Sequence, residues 1–195
     1  RQALIFKQGT SMKNQIVIAI DPGVSGGIAV FDQGGEVYAH KMPDTLADIR
    51  DLLISAKRLG VDNEDLNIKA KSSAVIYCER VGTYMPGNSG PSAATFAEHV
   101  GALKGIICCL RIPVIFPTPA TWMNHFIGKQ SYEKKVEGTT PQAWKIVLSR
   151  RKQERKNKIK AKAQELYPHL KVTLALSDAL GILNFGCEQE AGNSI

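Results

Sequence analysis

The stretch "IVIAIDPGVSGGIAVFD" (residues 16–32) holds two apolar runs joined by a carboxylate, a Pro-Gly turn and small residues. Runs this apolar, bounded by turn residues, read as buried strands over 16–20 and 26–32. Asp21 closes the first, where an ionised group is costly unless its pKa shifts or a cation meets it. Working outward, Gly34-Gly35 reads as a hairpin turn and 36–41 as a third strand, which makes an antiparallel meander. Leu46, Ile49, Leu52, Leu53 and Ala56 then follow helical spacing over 44–59, with Asp44 as expected N-cap and Gly60 as the end. Residues 61–72 are polar and loop-like.

"SAVIYCER" (73–80) begins as a fourth buried strand and ends on Glu79, and the Gly/Pro/Asn-rich 81–92 read as loop. A helix is expected over 92–111, with Phe96, Val100, Leu103, Ile107 and Leu110 forming one apolar seam. Gly101 and Gly105 interrupt it at about 1 kcal/mol each relative to Ala, so the sheet or a second subunit is expected against them. "IPVIFP" (112–117) gives a fifth strand, and "TPATWMNHFIG" a short helix with Pro119 near its start. Residues 129–141 are polar. A basic helix follows with Ile159, Ala163 and Leu166 inward and Pro168 as its stop, and a last apolar helix spans 174–187. A meander extended by alternating helices and strands predicts an α/β fold, a mixed sheet with helices on both faces.

The length of 195 residues fits one domain. Residues 1–11 read as a leader foreign to the fold, with Met12 the expected start of a single domain over 12–195. The N-terminus lacks the long apolar core of a secretory signal, and no apolar run reaches the roughly 18 to 20 residues of a membrane span. No membrane partner is expected, and an intracellular, DNA-associated location is. Cys78, Cys108, Cys109 and Cys187 show no Cys-x-x-Cys spacing, which argues against a disulfide framework or zinc site. Net charge is +7, but residues 145–162 alone carry nine Lys or Arg against one Glu, leaving the remainder at −1. Basicity confined to one surface points to a polyanion, and nucleic acid above all.

Three acids are the polar exceptions in apolar elements: Asp21 after strand one, Glu79 after strand four, and Asp178 within the final helix. If strands one and four are neighbours, Asp21 and Glu79 emerge side by side, and the helix brings Asp178 across. A few carboxylates completed by water and phosphate oxygens are how Mg²⁺ is usually held. Two such ions about 3.5–4 Å apart activate water and stabilise the leaving oxygen in phosphodiester cleavage. Each acid alone also has an ordinary structural explanation as a turn residue, ion pair or cap.

"IAIDPGVSGGIAVFD", "VIYCERV", "FAEHVGALKGI" and "LSDALGIL", with Met-Pro and Pro-x-x-Trp between them, resemble the RuvC-like Holliday-junction resolvases of the ribonuclease-H superfamily, in particular the phage and plastid branch. The resemblance spans about residues 16–188. It implies a ribonuclease-H-like mixed five-stranded sheet and a homodimer that cuts four-way DNA junctions in recombination and repair, with two Mg²⁺ (or Mn²⁺) ions per site. Asp21, Glu79 and Asp178 would then be catalytic metal ligands. Lys145, Arg150, Arg151, Lys152, Arg155, Lys158, Lys160 and Lys162 would hold DNA phosphates, and Thr83, Tyr84 and Met85 would reach the crossover. Lys158, Lys160 or Lys162 would assist at the reacting water.

The pattern departs at two places. Such enzymes carry four carboxylates, the last two together on the final helix, yet Ala175 stands one turn before Asp178. Either three ligands suffice or Ala175 replaces an Asp. Met123 follows Trp122 where a lysine is expected. The alternatives are a junction- or nucleic-acid-binding protein without catalysis, another ribonuclease-H-superfamily nuclease, and a kinase of the actin and sugar-kinase type. The last needs a second domain and a second glycine-rich phosphate loop, neither of which this chain shows.

Overall fold

Both faces of the sheet are covered by helices, which is why its central strand is apolar from Ile16 to Ile20. The computed structural model describes residues 16–59, 74–82, 90–131, 134, 137–138 and 140–192. The expected leader, Gly60, the 61–72 loop and Thr83, Tyr84 and Met85 lie outside these. The strands are β1 (Ile16–Asp21), β2 (Gly27–Phe31), β3 (Val37–Lys41), β4 (Ala74–Cys78) and β5 (Val114–Ile115). They form one five-stranded sheet in the order β3-β2-β1-β4-β5. β1, β2 and β3 pair antiparallel, whereas β4 lies parallel to β1 and β5 parallel to β4. The expected α/β mixed sheet is therefore present.

Strand alternation divides β1 between two cores. Ile16, Ile18 and Ile20 meet Ile28, Ile76 and the buried sides of α1 (Leu46–Arg58) and α2 (Gly90–Leu110). Val17 and Ala19 meet Tyr77 and residues of α3 (Pro119–Ile127), α4 (Pro141–Leu166) and α5 (Leu174–Gly192) on the other face. α5 is buried nearly all round from Leu176 to Cys187, as a mostly apolar helix should be. It continues to Gly192, five residues past the expected end.

Local chemistry corrects several boundaries. Thr45, not Asp44, caps α1: its hydroxyl oxygen accepts from the Asp48 N–H at 3.1 Å and its O–H donates to Asp48 Oδ2 at 2.6 Å. β5 shrinks to two residues between Pro113 and Pro117, which cannot donate to a ladder. Thr140 caps α4, which begins at Pro141, before the basic stretch.

α2 is long and apolar enough, by length and composition, to cross a membrane, which corrects the expectation that no segment would be. It packs on the sheet through Val100, Leu103 and Ile107, as the seam predicts. A side chain at Gly101 or Gly105 would meet nothing within 4 Å, so the sheet is not what those glycines accommodate.

Candidate active site

The site begins with register. Because β1 and β4 run parallel with Ile20 opposite Cys78, the next residues of both strands, Asp21 and Glu79, leave the sheet at one edge. The Glu79 N–H donates to the Ile20 carbonyl at 2.9 Å, which carries the pairing to the last residue. After Asp21 the chain reverses through Gly23, whose φ of +121° disfavours any side chain. The Phe96 ring of α2 leans on that turn, 3.1 Å from where a Cβ at Gly23 would stand.

Asp178 arrives from the opposite face. The first turn of α5 sits against the start of β2, and a Cβ on Gly27 would come within 2.8 Å of the Ala175 carbonyl oxygen. Only a bare backbone lets the helix approach so closely, which sets Asp178 beside the strand ends. The three acids share one electrostatic environment. Burial, then Asp178 and Glu79, push the Asp21 carboxyl up to about 8, with Lys156 acting in the opposite direction. Burial raises Glu79 too, and Asp178 adds to it, while the Trp122 hydrogen bond and Arg155 oppose. Asp178 is raised by burial and drawn down by Lys156, Arg155 and Ser177.

Two further features define what the cluster can hold. The buried Trp122 indole N–H donates to Glu79 Oε1 at 2.8 Å, which fixes that carboxylate's orientation. Asp178 Oδ1 is buried with no hydrogen-bond partner, a costly state for an oxygen facing only protein. Among the described residues, no three His, Cys, Asp or Glu side chains stand close enough to enclose a metal ion by themselves. The donors fit a hard divalent cation in kind, charge and orphaned oxygen. Such an ion would be held from one side only, with water or phosphate oxygen completing its coordination.

The basic residues divide by helix face. Ile159 and Ala163 are buried, so α4 faces the core there, and Arg155 and Lys156, one turn earlier, face the acids. Lys156 is the basic residue that sequence reasoning did not single out. The phase set by Ile159 and Ala163 was the signal available for it. The lysines considered for the reacting water lie elsewhere: Lys158 donates to Gln130 Oε1 at 2.9 Å, Lys162 donates to the Phe126 carbonyl, and Lys160 is exposed. Arg150 pairs with Glu154 at 3.4 Å, Arg151 lies 5.1 Å from the Trp144 ring centroid, and Lys145 and Lys152 are exposed. Trp122 was noted only as part of Pro-x-x-Trp, and its bond to Glu79 comes from the fold. Ala175 is partly buried one turn before Asp178, and Met123 packs against the core.

Fold and site together define an α/β protein with a carboxylate cluster at the edge of a mixed sheet, flanked by a basic helix. No family model and no curated protein matches the chain. Among solved structures it is similar to Thermus thermophilus RuvC in complex with a Holliday junction substrate, at 13% identity and a TM-score of 0.48, covering 87% of this chain and 90% of that one. It is also similar to a second T. thermophilus RuvC structure, at 15% identity and a TM-score of 0.43, covering 86% and 90%.

Proposed function

We propose that this chain is a RuvC-like, structure-selective endodeoxyribonuclease that cuts four-way DNA junctions, working inside the cell on recombining or repaired DNA. The observation that carries the reading is the meeting of Asp21, Glu79 and Asp178 at one sheet edge, with Asp178 Oδ1 unpartnered and Arg155 and Lys156 alongside. A polyanion is drawn toward α4, whose Lys and Arg side chains displace condensed counterions from it. Trp122 holds Glu79 in place, while Asp21, pushed up to about 8, gives up its proton more readily as positive charge approaches. Bound Mg²⁺ or Mn²⁺ would supply Lewis acidity toward the phosphodiester and lower the pKa of a nucleophilic water. The products would be 5′-phosphate and 3′-hydroxyl ends. A second copy of the chain would place two sites on one junction, and the exposed side of α2 around Gly101 and Gly105 is the proposed contact.

Synthetic four-way, three-way and linear DNA incubated with and without Mg²⁺ test this. Paired nicks in the four-way substrate, lost in Asp21→Asn with binding retained, are the expected result. Junction binding without nicking under every metal tested would instead leave a non-catalytic binder. The same assay on Ala175→Asp settles the fourth carboxylate: gained metal affinity and rate mean that Ala175 stands where an Asp belongs.

A further inference from the structure

A second feature opens onto the same edge. A cavity of about 970 Å³ lies between α2 and the β4–β5 side of the sheet, with Glu79, Arg111 and Ile112 among the residues of its wall. The volume is at the upper end of what small-ligand sites occupy. Leu103, Ile107 and Val114 line it with apolar surface, and Phe116 stands in its wall 38% exposed. Its cations are Arg80, Lys104 and Arg111, and none of them forms a salt bridge among the described residues. Lys104 Nζ lies 5.9 Å from the Phe116 ring centroid, so an aromatic face and a positive charge are presented together.

Arg111 adds an independent observation. It has φ of +52°, the only non-glycine residue in the left-handed region among the described residues. Its N–H donates to the Cys108 carbonyl at 3.1 Å as α2 ends, a position where glycine is the unstrained choice. A guanidinium kept at a strained position beside a cleft suggests that the side chain has a ligand there.

An apolar slot with one exposed aromatic ring and three cations is complementary to one ligand chemistry: a flat, uncharged ring system carried on an anionic backbone. Base stacking on an aromatic side chain, with Lys or Arg tracking the phosphates, is how unpaired strands are held. We infer that this cleft takes an unpaired nucleotide displaced from the duplex beside the cleavage edge, its base against Phe116 and its flanking phosphates on Arg80, Lys104 and Arg111. The inference rests on the junction-nuclease reading, which puts a branch point next to Glu79, and it gives that enzyme a place to hold a displaced base of any identity.

The test uses the full chain without metal. Oligothymidylate binding is followed by fluorescence anisotropy for wild type, Phe116→Ala, Lys104→Ala and Arg111→Gly, and thermal denaturation is recorded for each. A 5-iodouracil-bearing strand is photocrosslinked to wild type and mapped by mass spectrometry. Expected are a crosslink at or next to Phe116 and a loss of affinity of roughly 5- to 150-fold in Phe116→Ala. Smaller losses are expected in the two cation variants, with the Tm of Arg111→Gly unchanged or higher. Wild-type affinity in all three variants, or crosslinks confined to α4, would overturn the assignment. Junction nicking is scored separately with Mg²⁺. Nicking present with cleft variants indistinguishable from wild type defeats the cleft alone. A cleft crosslink with no nicking defeats the nuclease reading alone.

Discussion

The Trp122 indole N–H donates to Glu79 Oε1 across 2.8 Å, joining a short helix on one face of the sheet to a carboxylate at its edge. The bond occupies one of the two carboxylate oxygens, Oε1. A partner that orients a ligating group typically matters 10- to 100-fold in metal affinity or activity. Trp122→Phe deletes the donor, and with it part of the buried indole that packs on Gly181. Mn²⁺ affinity by calorimetry is expected to fall by about that factor, and unfolding free energy by about 1–3 kcal/mol from the lost donor and the volume removed from the core together. Unchanged affinity would show that Glu79 does not depend on this bond.

Asp21 makes stability depend on pH in an unusual direction. Its carboxyl is pushed up to about 8 in the folded protein, against 3.8 ordinarily, so between those values the folded state holds a proton that the unfolded state has released. Stability from this group is therefore fully present below pH 3.8 and is lost as pH rises toward 8. Metal-free protein is expected to melt lower at pH 8 than its Asp21→Asn variant, with the gap closing toward pH 4. Mg²⁺ should raise the wild-type Tm more at pH 8 than at pH 5, since the ion competes with the proton. Parallel Tm curves for the two proteins across this range would contradict the assignment.

Lys156 opposes the burial of both Asp21 and Asp178 from α4. Replacing it with Ala removes a charge that serves the acids and, under the proposed function, a phosphate. The slope of log affinity against log salt for junction DNA is expected to drop by about one. Lys160→Ala, on an exposed part of the same helix, should change the slope without altering metal affinity. If Lys156→Ala matches Lys160→Ala in both measurements, Lys156 is one surface cation among several.

The open space at Gly105 permits a direct test of self-association. A side chain there meets nothing within 4 Å, so Gly105→Arg should leave the monomer fold intact. Sedimentation velocity is expected to show a dimer for wild type and a monomer for the variant, with paired junction cuts becoming single nicks. An unaltered dimer would move the interface off this side of α2.

What was legible in the sequence was whatever depended on local pattern. Asp21 and Glu79 stood out because each ends an apolar run, and neighbouring parallel strands turn two chain positions into one place. Asp178 stood out as the acid in an apolar helix. The phase of α4 was harder to read: eighteen positions separate Pro141 from Ile159, the first fully buried residue, and so many charged side chains show no face of their own. Lys156 therefore looked no different from Lys158 or Lys162, although a single turn of helix sends them to different partners. The Trp122–Glu79 bond joins residues 43 apart in sequence, and only the packing of α3 on α5 and the sheet brings them together. Thr45 and Asp44 are both good caps, and backbone geometry decided between them.

The cluster draws its acids from the first strand, from a strand near the middle of the chain and from the last helix. No piece that lacks β1, β4 or α5 brings the three together, and they meet only once β1 has paired with β4 and α5 has settled against Gly27. Under the proposed function, a chain still being synthesised, or one clipped before its final helix, would lack Asp178 and could not cut: completion of the fold would itself serve as the safety catch.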